Sequence, residues 1–328
     1  MREFLKNQRY TGWLLLAVIL AFIFPEPGSP GGIFYPEFTN KFGVWFIFLL
    51  QGLSMKTGEL VRGYRPLRVH GYVLGWNFLG FPLLLGGWLL IVGSWIAPEF
   101  RLGFWALAIL PTTIASSVAF TAVAGGNVPT AIFSSIASNL LAVLIVPAIA
   151  IRYFAVEMEA AIPVGPLFRT LGLLIIFPLV LGQGIRSIAP KAAALVGQRL
   201  KPVPNWIILF LVHTAFAKSI TTGFFDGLPV HQFVVVLLVA GGFLLLANVL
   251  VWFGSGLLKV DRATRVSALF CGGQKSLATG FPLITSILAV SNTGLAPAAV
   301  LMPLLCYHPL QLVLAGVLIG RLTRSKGG

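Results

Sequence analysis

Apolar positions along this chain neither alternate nor keep to one stripe; they run nearly solid for about twenty residues at a time. Ten such runs stand between clusters of charge or turn residues: 11–25, 33–55, 69–94, 102–124, 128–151, 164–185, 203–222, 230–257, 264–290 and 295–320. A helix of about 20 apolar residues crosses the ~30 Å hydrocarbon layer of a bilayer. A transmembrane barrel would instead show alternation. The pattern predicts an all-α polytopic membrane protein of ten transmembrane helices.

Composition agrees. Of 328 residues, 57% are hydrophobic and 10% charged, against about 25% charged in soluble domains. The net charge of +14 would suggest nucleic acid in a soluble protein. Here the basic residues lie between apolar runs, so the bilayer is the expected partner and nucleic acid is not. The start, Met1 to Tyr10 followed by Thr11 to Phe24, imitates a secretory signal. The run ends in Pro25-Glu26-Pro27 with no small-residue cleavage site, so it reads as a first membrane span. Cys271 and Cys306 lie inside apolar runs, and no disulfide can be argued from them.

Charge also sets an expected orientation. With the N-terminus in the cytoplasm, seventeen Lys and Arg fall on the inside and four (Lys41, Arg101, Arg152, Arg169) on the outside. Six of the nine acids fall outside. This asymmetry alternates at every loop and predicts both termini inside. With no Asn-x-Ser/Thr sequon, the expected location is a bacterial inner membrane. The chain divides near residue 162 into 1–162 (spans 1–5) and 163–328 (spans 6–10), joined by a linker at 152–163. An odd number of spans per half gives the halves opposite orientation, the layout of inverted-repeat transporters.

Two spans carry polar interruptions. Span 4 holds Pro111, Thr112, Thr113, Ser116, Ser117 and Thr121 before a Gly125-Gly126-Asn127 turn. Pro111 removes a backbone donor. One reading is a broken helix whose N-terminal half aims its dipole at an anion; the other is hydroxyls bonding their own helix. Span 9 reads Gly272-Gly273-Gln274-Lys275-Ser276. An ammonium near mid-membrane costs ~3 kcal/mol on insertion scales. Lys275 therefore needs a local partner: carbonyls of a broken helix, a substrate anion or a carboxylate. No Asp or Glu lies in the middle of any span, which weighs against the carboxylate.

Other polar positions are softer. Asn77, and the Ser134, Ser135, Ser138, Asn139 side of span 5, fit helix packing as well as function. Lys218, near the outer end of span 7, reads as a snorkelling side chain rather than an entrance charge. His213 and His308 fit structural hydrogen bonding, although a histidine can also relay protons. No metal cluster, hydrolase or metalloprotease motif, or P-loop is present in the sequence. That argues against an enzyme or an ATP-driven pump.

The chain resembles the bile acid:sodium symporter superfamily, and within it the sodium/bile acid cotransporter 7 branch. The resemblance covers almost the whole length. It is carried by Gly52 to Leu60 (GLSMKTGEL), Ser116-Ser117 to Gly126-Asn127, Phe270 to Leu277, and Tyr307-His308-Pro309-Leu310-Gln311. It implies two inverted five-helix repeats, a panel of spans 1, 2, 6 and 7, and a core of spans 3–5 and 8–10. Spans 4 and 9 would be broken and cross in the core, and transport would proceed by alternating access. The sodium-coupled members place Glu four residues before the span 9 Gln and Asn directly after it. Here those positions are Phe270 and Lys275. The family's span 4 Ser-Asn becomes Ser116-Ser117, Ser135 is the best-kept span 5 hydroxyl, and Asn77 matches a span 3 Gln.

Three readings stay open. In the first, Lys275 stands in for sodium, or titrates as the coupling group, and an organic anion is moved. Its binding residues would be Lys275, Gln274, Thr112, Thr113, Ser116, Ser117, Asn77, Ser276 and His308. In the second, sodium is retained by Ser116, Ser117, Ser135 and Gln274. A cation ~4 Å from an ammonium is repelled by about 4 kcal/mol at an effective dielectric of 20, which weighs against it. In the third, the protein is a regulatory membrane protein that moves nothing. Beyond a sodium ion or proton, no cofactor is expected.

Overall fold

The structure, a computed structural model, describes residues 2–55, 63–158, 164–291 and 295–324. Lys56 to Leu60 of the GLSMKTGEL stretch and the end of the 152–163 linker lie outside them. All regular structure among the described residues is helical. Among the described residues six helices are long and apolar enough to cross a membrane: Leu67–Trp95, Val128–Ala150, Phe168–Ile188, Val203–Thr221, His231–Gly256 and Pro297–Thr323. They coincide with expected spans 3, 5, 6, 7, 8 and 10. The other expected spans also form helices, but shorter, broken or less apolar ones. Large apolar side chains such as Leu83, Leu90, Ile91, Val180, Leu238 and Phe253 point outward. Such a surface belongs in lipid, where helices satisfy their own backbones. The protein is a polytopic membrane protein.

The helices are α1 (Arg2–Ile23), α2 (Pro36–Ser54), α3 (Leu67–Trp95), α4 (Pro98–Ala108), α5 (Ala115–Val123) and α6 (Val128–Met158). There follow α7 (Val164–Leu171, continued through Gly172–Ile176 into Phe177–Ile188), α8 (Pro190–Arg199), α9 (Val203–Thr221) and α10 (His231–Gly256). The last are α11 (Arg262–Gly273), α12 (Leu277–Ser291) and α13 (Pro297–Arg324). Helix α3 widens to a π turn at Trp76–Gly80 and α7 at Gly172–Ile176. Pro82 and Pro178 stand two positions beyond these turns, and each lacks the N–H that an α turn would use. Helix α8 falls where sequence reading expects a loop. Its Lys-Ala-Ala-Ala-Leu-Val run consists largely of good helix formers.

Packing separates two groups. Helices α1 and α9 lie together, as do α2 and α7, with α9 also on α2. Gly52 and Gly182 bring α2 and α7 into backbone contact: a Cβ on Gly52 would sit 3.1 Å from the Gly182 Cα. In the second group α13 packs on α4 and α10, and α11 on α3, α5, α6 and α10. Helices α12 and α13 make the contacts between the groups, touching α1, α2, α7 and α9.

Candidate functional site

Two helix breaks meet inside the second group. One runs from Ile109 to Ile114 between α4 and α5; the other is Gln274 to Ser276 between α11 and α12. Pro111 and the Gly272-Gly273 pair supply the local reasons: a missing donor in one, weak helix propensity in the other. The breaks touch directly, the Ser276 N–H donating to the Pro111 carbonyl at 2.8 Å. Asn139 of α6 ties them together from one side. Its Nδ2 donates to the Thr112 carbonyl (2.8 Å) and its Oδ1 accepts from Thr279 Oγ1 (2.6 Å). Gln311 of α13 holds the second break from another side. Its Oε1 accepts from the Lys275 N–H (2.8 Å) and its Nε2 donates to the Lys275 carbonyl (2.9 Å).

The Lys275 side chain is fully buried. Its Nζ donates to three carbonyls: Leu110 (2.7 Å), Ala108 (2.8 Å) and Asn77 (3.2 Å). It also lies 3.9 Å from the centre of the Phe81 ring, within cation–π range. The ammonium's three protons match three acceptors. Two of these belong to the C-terminal end of α4, where unpaired carbonyls concentrate partial negative charge. Of the partners that the sequence left open, the backbone carbonyls of a broken helix are the ones found. The C-terminal end of α11 is satisfied by neutral donors: Tyr307 OH donates to the Gly273 carbonyl (3.0 Å) and Asn77 Nδ2 to the Cys271 carbonyl (3.3 Å).

The opposite poles of the two breaks face a cavity of about 220 Å³. Thr113, Ile114 and Ala115 bring the N-terminus of α5 to it, and Ser276, Ala278 and Thr279 that of α12. Gln51 and Ser54 of α2, and Gly197, Leu200, Lys201 and Pro204, form the facing wall. Ser276 caps α12, its Oγ accepting from the Thr279 N–H at 3.1 Å. Ile114 at the start of α5 offers no capping side chain, so that helix's first-turn N–H groups lack one. Helix N-termini with free N–H groups attract anions.

The expected site residues therefore separate by position. Thr113 and Ser276 line the cavity. Thr112 is buried behind it, its N–H donating to Ser138 Oγ at 3.2 Å. The four expected sodium ligands form two bonded pairs. Ser116 Oγ donates to Gln274 Oε1 at 2.8 Å, and the Ser117 and Ser135 hydroxyls lie 2.9 Å apart. Ser117 also lies against the Thr113 carbonyl. Asn77 contributes its carbonyl to Lys275. His308 sits one turn from Gln311, its Nδ1 2.9 Å from Gln311 Nε2, and lines no part of the cavity. Gln274 Nε2, Asn77 Oδ1 and Thr112 Oγ1 are buried without a hydrogen-bond partner. Sequence reading missed Gln311, Phe81 and the clamping role of Asn139. A lone amide in an apolar span was the available signal for both Gln311 and Asn139.

Residues 8–324 match the SBF-like CPA transporter family. Similar chains include an uncharacterised protein of Pseudomonas aeruginosa, 31% identical over 322 residues, covering 97% of this chain and 93% of the relative. Sodium/bile acid cotransporter 7-B of Xenopus laevis is 27% identical over 329 residues, with 97% and 92% covered. Sodium/bile acid cotransporter 7 of Mus musculus is 27% identical over 334 residues, with 96% and 95% covered. Taken with the helical membrane fold, these matches make the chain a member of the SBF-like CPA transporter family, within the bile acid:sodium symporter superfamily: a secondary transporter, and not an enzyme.

Proposed function

We propose that the protein moves a small organic anion by alternating access, with Lys275 occupying the place that sodium takes in the coupled members. The observation that carries this is the sorting of helix poles at the crossing. The negative end of α4 is neutralised from within by Lys275 Nζ. The positive ends of α5 and α12 open on the cavity. A site with its cation built in and the uncapped N-terminus of α5 open to it favours an anionic cargo. Thr113 and Ser276 would hydrogen-bond it, and Thr112, Ser116, Ser117, Gln274, Asn77 and Thr279 would hold the breaks in shape.

In this reading the chain is ten spans in two inverted repeats, 1–162 and 163–328. The group of α1, α2, α7 and α9 is the panel, and the remaining helices form the core that moves against it. Asn139 and Gln311 support the repeat, since each is an amide on the last span of its half that bonds the break of that same half. The basic-residue asymmetry supports a bacterial inner membrane with both termini cytoplasmic.

A second reading, sodium coupling through Ser116, Ser117, Ser135 and Gln274, is favoured by the names of the Xenopus laevis and Mus musculus relatives. Against it, these oxygens are already hydrogen-bonded to one another. Counterflow of radiolabelled carboxylates and sulfonates into proteoliposomes, in sodium and in choline, tests both. Sodium-independent exchange that Ala278→Trp abolishes supports the proposal. Exchange only in sodium favours the second reading. No exchange of any anion, with cysteine labels reaching the crossing from one face only, points to a regulatory protein instead.

A further inference from the structure

The seam between α2 and α12 has a second opening, at the other end of both helices. Two adjoining cavities of about 270 Å³ each lie there, sharing Asn40, Lys41, Thr285 and Ala289. Lys218 of α9 lines one of them. Lysines from two different helices thus meet at one mouth, and among the described residues neither forms a salt bridge. Asn40 is oriented there by Thr214, whose Oγ1 donates to its Oδ1 at 3.1 Å, leaving the amide N–H₂ for a ligand. The mouth also contains a carboxylate, Glu37, whose Oε1 accepts from the Gly31 N–H at 3.2 Å. The local balance is therefore two positive charges against one.

The same side of α2 serves both openings. Asn40, Lys41 and Val44 face this mouth, while Ile47, Leu50 and Gln51 face the cavity at the crossing. Ten residues from Lys41 to Gln51 span about 15 Å of helix. Between them Val44 and Ile47 are buried and close the seam. A lysine near a helix end commonly snorkels toward lipid, which is how the sequence places Lys218. Lining a shared cavity with Lys41 is a different arrangement.

The geometry points to an anion-collecting site at this mouth, held by Lys41, Lys218 and the Asn40 amide, that takes a soluble carboxylate or sulfonate before it reaches the crossing. That it lies on the route of transport rests on the reading above; anion binding at the mouth does not. Ala289 is exposed and lines both cavities, so Ala289→Cys is a reporter that disturbs little. The unsubstituted chain, with Cys271 buried and Cys306 half-buried, gives the background. Labelling rates are compared for an anionic and a cationic methanethiosulfonate in phosphatidylcholine vesicles. Lys41→Gln with Lys218→Gln should lower the anion-to-cation rate ratio roughly tenfold at low ionic strength and roughly threefold at physiological salt. Toluenesulfonate should slow labelling only while the lysines are present. An unchanged ratio overturns the proposal. So does protection by phosphatidylglycerol vesicles with no effect of toluenesulfonate, because a lipid headgroup would then hold the mouth. Labelling needs no transport, so a fallen ratio in a protein that fails anion counterflow would keep this site and reject the transport reading.

Discussion

Replacing Lys275 by Ala removes the ammonium and leaves three carbonyls facing one another in a dry interior. Each buried acceptor left without a donor costs about 1–3 kcal/mol, and the space vacated by the stem adds about 2 kcal/mol. Against this stands relief of about 3 kcal/mol, the insertion-scale penalty of a mid-membrane lysine. Summed over the three carbonyls, the net loss is about 2–8 kcal/mol. At roughly 2 °C per kcal/mol for a chain this long, the melting midpoint in detergent should fall by roughly 4–16 °C. The assay is thermal unfolding at fixed ionic strength in sodium, potassium or choline chloride, repeated with methylammonium. Wild type should show no sodium-specific shift, because Ala108, Leu110 and Asn77 already have their cation. Lys275→Ala should recover several degrees with methylammonium, since a ligand that binds only the folded state raises the midpoint. Lys275→Met, which keeps most of the stem, should still lose stability. A variant melting within about 2 °C of wild type, or a sodium-specific rise in wild type, would refute the reasoning.

Three further outcomes follow from the same geometry. Gln311→Leu deletes both hydrogen bonds to the Lys275 backbone and should cost about 2–4 kcal/mol, mostly from the stranded N–H and C=O, read as a lower midpoint in detergent. Gly182→Ala places a methyl 2.8 Å from the Leu53 nitrogen and against the Leu49 carbonyl. It should loosen the α2–α7 contact and lower the midpoint by several degrees, whereas Gly184→Ala, with open space around it, should not. Ala278→Trp projects from an exposed position into the cavity at the crossing; anion exchange should fall to background with the midpoint little changed, and retained exchange would move the cargo site elsewhere.

The membrane class was legible because a bilayer imposes a length on every span, and the long apolar runs reappear as helices at the expected places. The breaks were legible for local reasons: Pro111 and Gly272-Gly273 act on the backbone wherever they stand. Helix α8 was not, since a short run rich in alanine carries no boundary signal between two basic clusters. The partner of Lys275 could be narrowed but not chosen. Carbonyls belong to every residue, so only folding brings those of Ala108 and Leu110, about 165 residues earlier (167 and 165 positions), to the ammonium. Gln311 and Asn139 escaped for a related reason: a polar residue in an apolar span looks the same whether it packs a helix or holds a break.

The lysine cage has a thermodynamic consequence. A sodium ion in such a position would bind from one side and leave to the other, lending the cargo its electrochemical gradient. A cation bonded to the chain cannot leave with anything. On the proposed reading, with Lys275 staying charged rather than titrating, the transporter would draw no work from an ion gradient through that position, and a monovalent anion crossing alone would carry its full charge against the membrane potential. One charge across 100 mV is worth about 2.3 kcal/mol, which is roughly a fiftyfold concentration ratio. In an inside-negative cell this disfavours accumulation and drives net flow outward. With Lys275 as the fixed cation and no other coupling ion, the protein would act as an exchanger, taking one anion at the outer mouth against another released from inside, while resembling proteins named for sodium-linked cotransport.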